Sequence, residues 1–151
     1  MKLLIQRVSH AKVSVKEEII GSIGNGYLVF VGVCDNDTKE VADKMISKML
    51  HLRIFQDENG KTNLSLQEVN GELLIVSQFT LYADCRKGNR PSFTKSGAAE
   101  HANRLYEYIL NCCEGQGFHT EHGEFGADMK IELLNDGPFT ILLDSEEIIH
   151  E

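Results

Sequence analysis

A chain of 151 residues, 42% apolar and 25% charged, suits one folded domain burying ~70% of its unfolded surface, and excludes a mainly disordered or low-complexity protein. The net charge of −8 opposes indiscriminate attraction to nucleic acid, whose binding is dominated by phosphate neutralisation. Leu3-Leu4-Ile5 is too short for a signal-peptide core and no run approaches the ~20 apolar residues of a membrane helix, so a soluble, intracellular protein is expected. Cys34, Cys85, Cys112 and Cys113 show no CxxC spacing and are expected as free thiols.

Residues 2–16 read as a long strand: Ala11, Val13 and Val15 alternate with Lys12, Ser14 and Lys16 at the two-residue period of a half-buried sheet, with a less clean phase before Val8. A turn at Lys16-Glu17-Glu18 leads to a short strand over 19–23. Asn25-Gly26 then predicts a tight hairpin, with residues 27–33 as its return strand, apolar enough for burial on both faces. Asp35-Asn36-Asp37-Thr38 is a cluster of N-cap formers before an amphipathic helix carrying Val41, Met45, Ile46, Met49 and Leu50, ending near His51. A strand at 52–55, a turn at 57–60, a short extended piece at 64–66 and an Asn70-Gly71 turn precede the central strand 72–78.

That strand, Leu73-Leu74-Ile75-Val76, runs out into Ser77-Gln78-Phe79-Thr80-Leu81-Tyr82, and then into a basic loop with Arg86, Lys87 and Arg90. Thr94 or Ser96 is expected to cap a second helix carrying Ala98, Ala102, Leu105, Tyr106, Ile109 and Leu110, stopped by Gly115 and Gly117. A strand at 118–122 follows. Two more, at 129–134 and 139–143, are expected to be joined by a sharp Gly137-Pro138 turn, and the acidic tail from Asp144 is expected to fray. Strands dominate and the two main helices do not alternate with them, which predicts an α+β fold, one domain over residues 1–151, with antiparallel or mixed barrel-like sheets. No GxGxxG or GxxxxGK motif is present, so NAD and ATP are not implied.

The chemistry concentrates where the central strand ends. Ser77 and Thr80 supply hydroxyls, Gln78 an amide, and the backbone N–H groups of Phe79 and Thr80 can face a developing oxyanion. No His, Cys or carboxylate lies within 77–82 and Ser77 is not in a GxSxG elbow, so a conventional serine hydrolase is poorly supported. Residues 77–97 carry a local charge of +3 on the acidic chain, which suits one positioned phosphate backbone. Phe79 and Phe93 are aromatic surfaces on which a terminal adenine can stack, or ordinary core residues. His119 and His122 point to opposite faces at strand period and have no evident third ligand, so no metal site is expected.

Taken with Asn135-Asp136-Gly137-Pro138-Phe139-Thr140 and the Gln6-Arg7-Val8 start, these segments resemble the D-aminoacyl-tRNA deacylases, also called D-tyrosyl-tRNA deacylases, over nearly the whole chain. The resemblance implies a cytoplasmic homodimeric esterase that releases the D-amino acid and intact tRNA, with glycyl-tRNA as a further substrate, and needs no metal or organic cofactor. It implies a pocket formed by Ser77, Gln78, Phe79 and Thr80. The threonine matching Thr80 has been considered as a nucleophile; a competing account assigns catalysis to backbone groups and the RNA's own hydroxyl, and the lack of a base in the motif favours the second. By the same resemblance the Gly137-Pro138 peptide is cis and enters the other subunit's site, where its carbonyls contact the substrate amino group and reject L-amino acids sterically. Gln6 and Arg7 are implied as supports of the site, or equally as a structural hydrogen-bond network. Arg86, Lys87 and Arg90 are candidates for tRNA backbone contact. The rival readings are editing of other misacylated tRNAs, as in the L-serine editing domain of archaeal threonyl-tRNA synthetases, and a non-enzymatic RNA-binding module.

Overall fold

The first strand, β1 (Lys2–Val15), is the one on which the sheet is assembled, because both of its edges are occupied. The computed structural model describes residues 1–149. Along one edge of β1 lie β2 (Glu18–Ile23) and β3 (Gly26–Gly32), both antiparallel to it and in one register, with Ala11 opposite Ile23 and Val8 opposite Gly26. The expected Asn25-Gly26 hairpin is therefore not formed: β2 runs on into β3, and neither Asn25 nor Gly26 has positive φ. Gly26 is needed for space instead, since a Cβ there would overlap the backbone of Glu72. The chain reverses at Lys16 and Glu17, whose φ values of 50° and 69° match the left-handed pair a two-residue hairpin turn requires.

The other edge of β1 carries the long strand β8 (Lys130–Asp144). Here the expected pair of strands joined by a Gly-Pro turn is corrected. Both halves pair with β1, Asn135 opposite Val8 and Thr140 opposite Gln6, so residues 136–139 bulge outward facing Arg7 alone. Ser9 is in turn an extra residue of β1 between the Val8–Asn135 and His10–Leu134 pairs. Such a bulge exchanges the inward and outward faces of a strand. Leu3 and Ile5 accordingly pack under the helices, whereas Val8, Ala11 and Val13 join Leu28, Leu74 and Val76 in a second cluster on the opposite face of the sheet.

Beyond β3 come β6 (Glu72–Ser77) and β7 (Thr120–His122), both parallel to their neighbours. The mixed sheet then curls until it is nearly a closed barrel; Gly21 of β2 comes so near β7 that a Cβ would lie 3.0 Å from the His122 carbonyl oxygen. Helices α1 (Lys39–His51) and α2 (Ala99–Gly115) cover the outer face with Met45, Ile46, Met49, Leu105, Tyr106 and Ile109. A two-stranded sheet, β4 (Arg53–Gln56) with β5 (Thr62–Ser65), adds Ile54 and Phe55 to the same core.

Thr38 caps α1 as expected, its hydroxyl accepting from Val41 N–H at 3.2 Å. Neither Thr94 nor Ser96 caps α2. Ser96 donates to the Phe93 carbonyl, and the helix starts after Ala98, whose N–H is held by Asp35 at 2.9 Å. Asp37 has a task of its own: it accepts from the buried Met1 ammonium at 2.8 Å, beside Ser145 at 2.8 Å. Ser145 opens α3 (Ser145–Ile149), so the tail expected to fray is helical to that point; residues 150–151 lie outside the described residues.

Candidate active site

Ser77 ends β6 level with Val31 of β3, and Gln78 N–H still donates to the Val31 carbonyl at 2.8 Å before the chain turns into a 3-10 helix at Phe79–Tyr82. Gly32 allows that turn to sit on the sheet, since a Cβ there would lie 3.0 Å from Leu81 and 3.3 Å from the Tyr82 ring. Ser77, Gln78 and Phe79 form the rim of a cavity of ≈ 510 Å³ with Val31 and Val76 as its floor and Ala102 and Phe125 in its walls. Thr80 does not line it. Its hydroxyl is exposed and accepts from the Gln78 amide at 2.5 Å. Among the described residues no imidazole or carboxylate hydrogen-bonds Ser77 or Thr80, so neither hydroxyl has a side-chain base bonded to it. Tyr82 cannot serve, because burial first, and then Asp37 and Cys34, push its hydroxyl far above the ordinary tyrosine range. Lys2, which no motif singles out, reaches this turn, donating to the Leu81 carbonyl at 3.3 Å and lying over the Tyr82 ring.

Phe79 is 55% exposed and meets Phe93 edge to face at 5.0 Å. The pair stands at the foot of the basic loop, whose two ends are tied by reciprocal backbone bonds between Asp84 and Ser92. Arg86 is not free there: it bonds both oxygens of Asp84, at 2.9 and 2.7 Å, and Lys95 lies 3.6 Å from the same carboxylate. Those hydrogen bonds from Arg86 hold the Asp84 carboxyl well below the usual range. Lys87 and Arg90 make no ion pair among the described residues.

The Gly137–Pro138 peptide is cis and exposed at the crest of the β8 bulge. Its support comes from β1. Arg7, 6% exposed, donates from Nη1 to the Ile54 carbonyl at 2.6 Å and from Nε to the Asp136 carbonyl at 2.9 Å, and its guanidinium covers the Phe139 ring at 4.6 Å. From the other side Asn135 donates to Gln6 at 3.1 Å and accepts from Phe139 N–H at 2.7 Å. Asn135 is the bracing residue that sequence reasoning did not single out; the hint is an Asx side chain directly before a turn, where it bonds the backbone locally. Within one chain this bulge and the Ser77–Gln78–Phe79 rim line different cavities, the bulge lining one of ≈ 240 Å³ with Arg7 and Phe55.

The remaining candidates have local partners. His119 lies 3.3 Å from Glu121, His122 bonds the Gly123 carbonyl, and all four cysteines are free. Among the described residues no helix is long and apolar enough to cross a membrane.

Comparison with known proteins covers this whole arrangement. A family model described as D-Tyr-tRNA(Tyr) deacylase matches residues 4–144. A D-aminoacyl-tRNA deacylase of Thermosipho africanus is 53% identical over 98% of this chain and 99% of its own, and one of Clostridioides difficile 52% identical over 97% and 99%. Among solved structures, the c-Myc DNA Unwinding Element Binding Protein superposes with a TM-score of 0.90 at 38% identity, over 95% of this chain and 98% of that one. A probable eukaryotic D-amino acid tRNA deacylase shares the fold, with a TM-score of 0.79 at 17% identity over 94% and 97%.

Proposed function

The chain belongs to the D-Tyr-tRNA(Tyr) deacylase family, and from that premise we infer that it hydrolyses the ester of D-aminoacyl-tRNA, returning the free D-amino acid and the tRNA to translation. The observation that carries this reading is a half-identical match along the entire chain to enzymes of that activity. The compartment is the cytoplasm, where aminoacyl-tRNA is made and used.

The catalytic pocket is the cavity rimmed by Ser77, Gln78 and Phe79, with Thr80 beside it. A 3-10 turn has no internal acceptors for its first N–H groups, so those of Phe79 and Thr80 are available to a tetrahedral oxyanion, worth ~3–4 kcal/mol per well-placed donor. An aminoacyl ester is already activated and carries a ribose hydroxyl next to the scissile bond, so positioning plus such donors suffices without a side-chain base. Thr80, bonded only to an amide, acts through its backbone. Thr80→Ala is expected to keep its deacylation rate within about tenfold, whereas loss of a true nucleophile costs about 10⁶. Single-turnover deacylation of the folded variant measures the difference, and a collapse of the rate would return the nucleophile role to Thr80.

Chiral selection belongs to Gly137 and Pro138, acting on the pocket of a second copy, with Gln6 and Arg7 as the brace. Support for a two-fold dimer comes from the exposed bulge, which does not line the Ser77–Gln78–Phe79 cavity of its own chain, and from Leu134 and Leu142 on the same strand, 52% and 50% exposed. Phe79 and Phe93 offer stacking surfaces to the terminal bases. Lys87 and Arg90 are the stronger candidates for phosphate contact, since Arg86 already holds Asp84.

The 38%-identical neighbour, named for binding a DNA element, raises nucleic-acid binding without turnover as a second reading. Release of labelled amino acid from matched D-tyrosyl-tRNA and L-tyrosyl-tRNA decides between them. Multiple turnover of the D-ester with the L-ester spared is expected; tRNA binding with neither ester cleaved would favour the binding module, and cleavage of both would remove the Gly137-Pro138 filter.

A further inference from the structure

We propose that the outer face of α1 is a second RNA-backbone site, formed by Lys44, Lys48 and His51 with Arg53 of β4. Resting on the deacylase reading above, the inference adds where the body of the tRNA is held. Residues 44, 47, 48 and 51 stand at the spacing of one helical face, opposite the buried Ala42, Met45, Ile46 and Met49. They line a groove of ≈ 580 Å³ closed on its far side by Ile148 and Ile149 of α3.

Three observations favour RNA phosphate there. First, on a chain of net charge −8, Lys44 and Lys48 make no ion pair among the described residues: Asp43 is turned away to the Tyr108 hydroxyl at 2.6 Å, and Glu40, one turn before Lys44, does not pair with it. His51 bonds the Ser47 carbonyl, and Arg53 donates to Asn63 without an ion pair. Lysines without an ion pair on one helical face, with an arginine beside them, are the electrostatic footprint of a polyanion. A favourable interaction with the helix C-terminus accounts for Lys48 and His51 in the last turn, but not for Lys44 or Arg53. Second, the row is ~10 Å long at 1.5 Å per residue, long enough to meet successive phosphates of one strand. Third, β4 runs from the groove towards the Gly-Pro bulge: Arg53 lines the groove, while Phe55 and Gln56 of the same strand line the cavity beside Gly137. In the proposed dimer the bulge enters the partner's pocket, so the groove lies on the approach of the RNA whose ester occupies that pocket.

The test compares Lys44→Glu/Lys48→Glu with Lys16→Glu/Lys130→Glu, an equal charge change elsewhere, on two substrates, D-tyrosyl-tRNA and D-tyrosyl-adenosine. The groove variant is expected to raise KM for the tRNA at least about tenfold more than for the nucleoside ester, at little cost in kcat, and to flatten the dependence of log KM on log salt by about 2, near 0.9 per lost phosphate contact. Equal losses on both substrates, equal losses in the two variants, or no loss in either would overturn it. So would a groove variant that keeps tRNA binding but loses binding to phosphatidylcholine vesicles containing phosphatidylserine, which would make the surface a lipid site. If the unaltered protein cleaves neither substrate, the deacylase reading has failed; the groove is then judged by binding of uncharged tRNA to the same variants, with unchanged affinity counting against it.

Discussion

Gly137→Ala is expected to yield a folded protein whose turnover of D-tyrosyl-tRNA falls about 10²-fold, the loss typical when a positioning group is displaced by ~1 Å. The reason is local and geometric. Gly137 has φ of +148°, where L side chains are rarely found, and a Cβ there would lie 2.9 Å from Phe139 N and 3.1 Å from Arg7 Nη2. Neither neighbour can give way cheaply. Phe139 N–H is held by Asn135, and the Arg7 guanidinium is buried between two carbonyl acceptors and an aromatic ring. The bulge must therefore move as a unit, at about 1–3 kcal/mol of stability, which leaves the rest of the fold intact. Single-turnover rates on D- and L-tyrosyl-tRNA, with thermal melting as the folding control, measure both effects. An unaltered D-rate and unaltered discrimination in the folded variant would remove the bulge from the site.

That bulge also marks the boundary of what the sequence could tell. The apolar period of α1 and α2 and the continuous burial of 27–33 are local properties, and they placed those elements within a residue or two, apart from the start of α2, which lies two to four residues beyond the expected cap. Pairing is not local. Asn70-Gly71 and Asn25-Gly26 look alike on paper, yet Asn70 takes φ of 54° while Gly26 is small because Glu72 of the neighbouring strand passes against it. The Gly-Pro dipeptide similarly announced an interruption but not that both flanks would pair with β1. The anchor at the start of α2 comes from Asp35, 63 residues earlier, which no local pattern contains. For the site, the motif 77–80 was legible as chemistry at a strand end. The role of Lys2 was not, because it acts through a partner far away in the chain, and that of Asn135 was legible only in its local bond to Phe139, not in its bond to Gln6.

Asp37→Ala is the substitution expected to cost most in stability, about 3–5 kcal/mol, as when one partner of a buried ion pair is removed. The Met1 ammonium and Asp37 are both buried, and the carboxylate is fully used: one oxygen accepts from Met1 at 2.8 Å, the other from Cys34 N–H at 2.8 Å. Alanine leaves a buried ammonium with the Ser145 hydroxyl as its remaining side-chain acceptor and an N–H with none. The two lost bonds tie the start of β1 to the segment entering α1, and the same Met1 ammonium is bonded to Ser145, the first residue of α3, so the loss is felt at three elements. At roughly 2–4 °C per kcal/mol for a chain of this size, the midpoint of thermal unfolding should fall by about 10 °C. Asp37→Asn keeps an acceptor but sets an amide donor against either the ammonium or the Cys34 N–H, and should lie between the two. The consequence for function is indirect. The same segment carries Asp35, which starts α2, and Val33, whose carbonyl receives Gly97 N–H at 2.7 Å on the wall of the pocket. At temperatures where Asp37→Ala remains folded, its D-tyrosyl-tRNA deacylation should therefore decline in parallel with local opening rather than through lost chemistry. Urea unfolding of the two variants decides the point: a loss below about 1 kcal/mol for Asp37→Ala would mean that the ammonium finds water or another acceptor, and that the ion pair does not hold the three elements together.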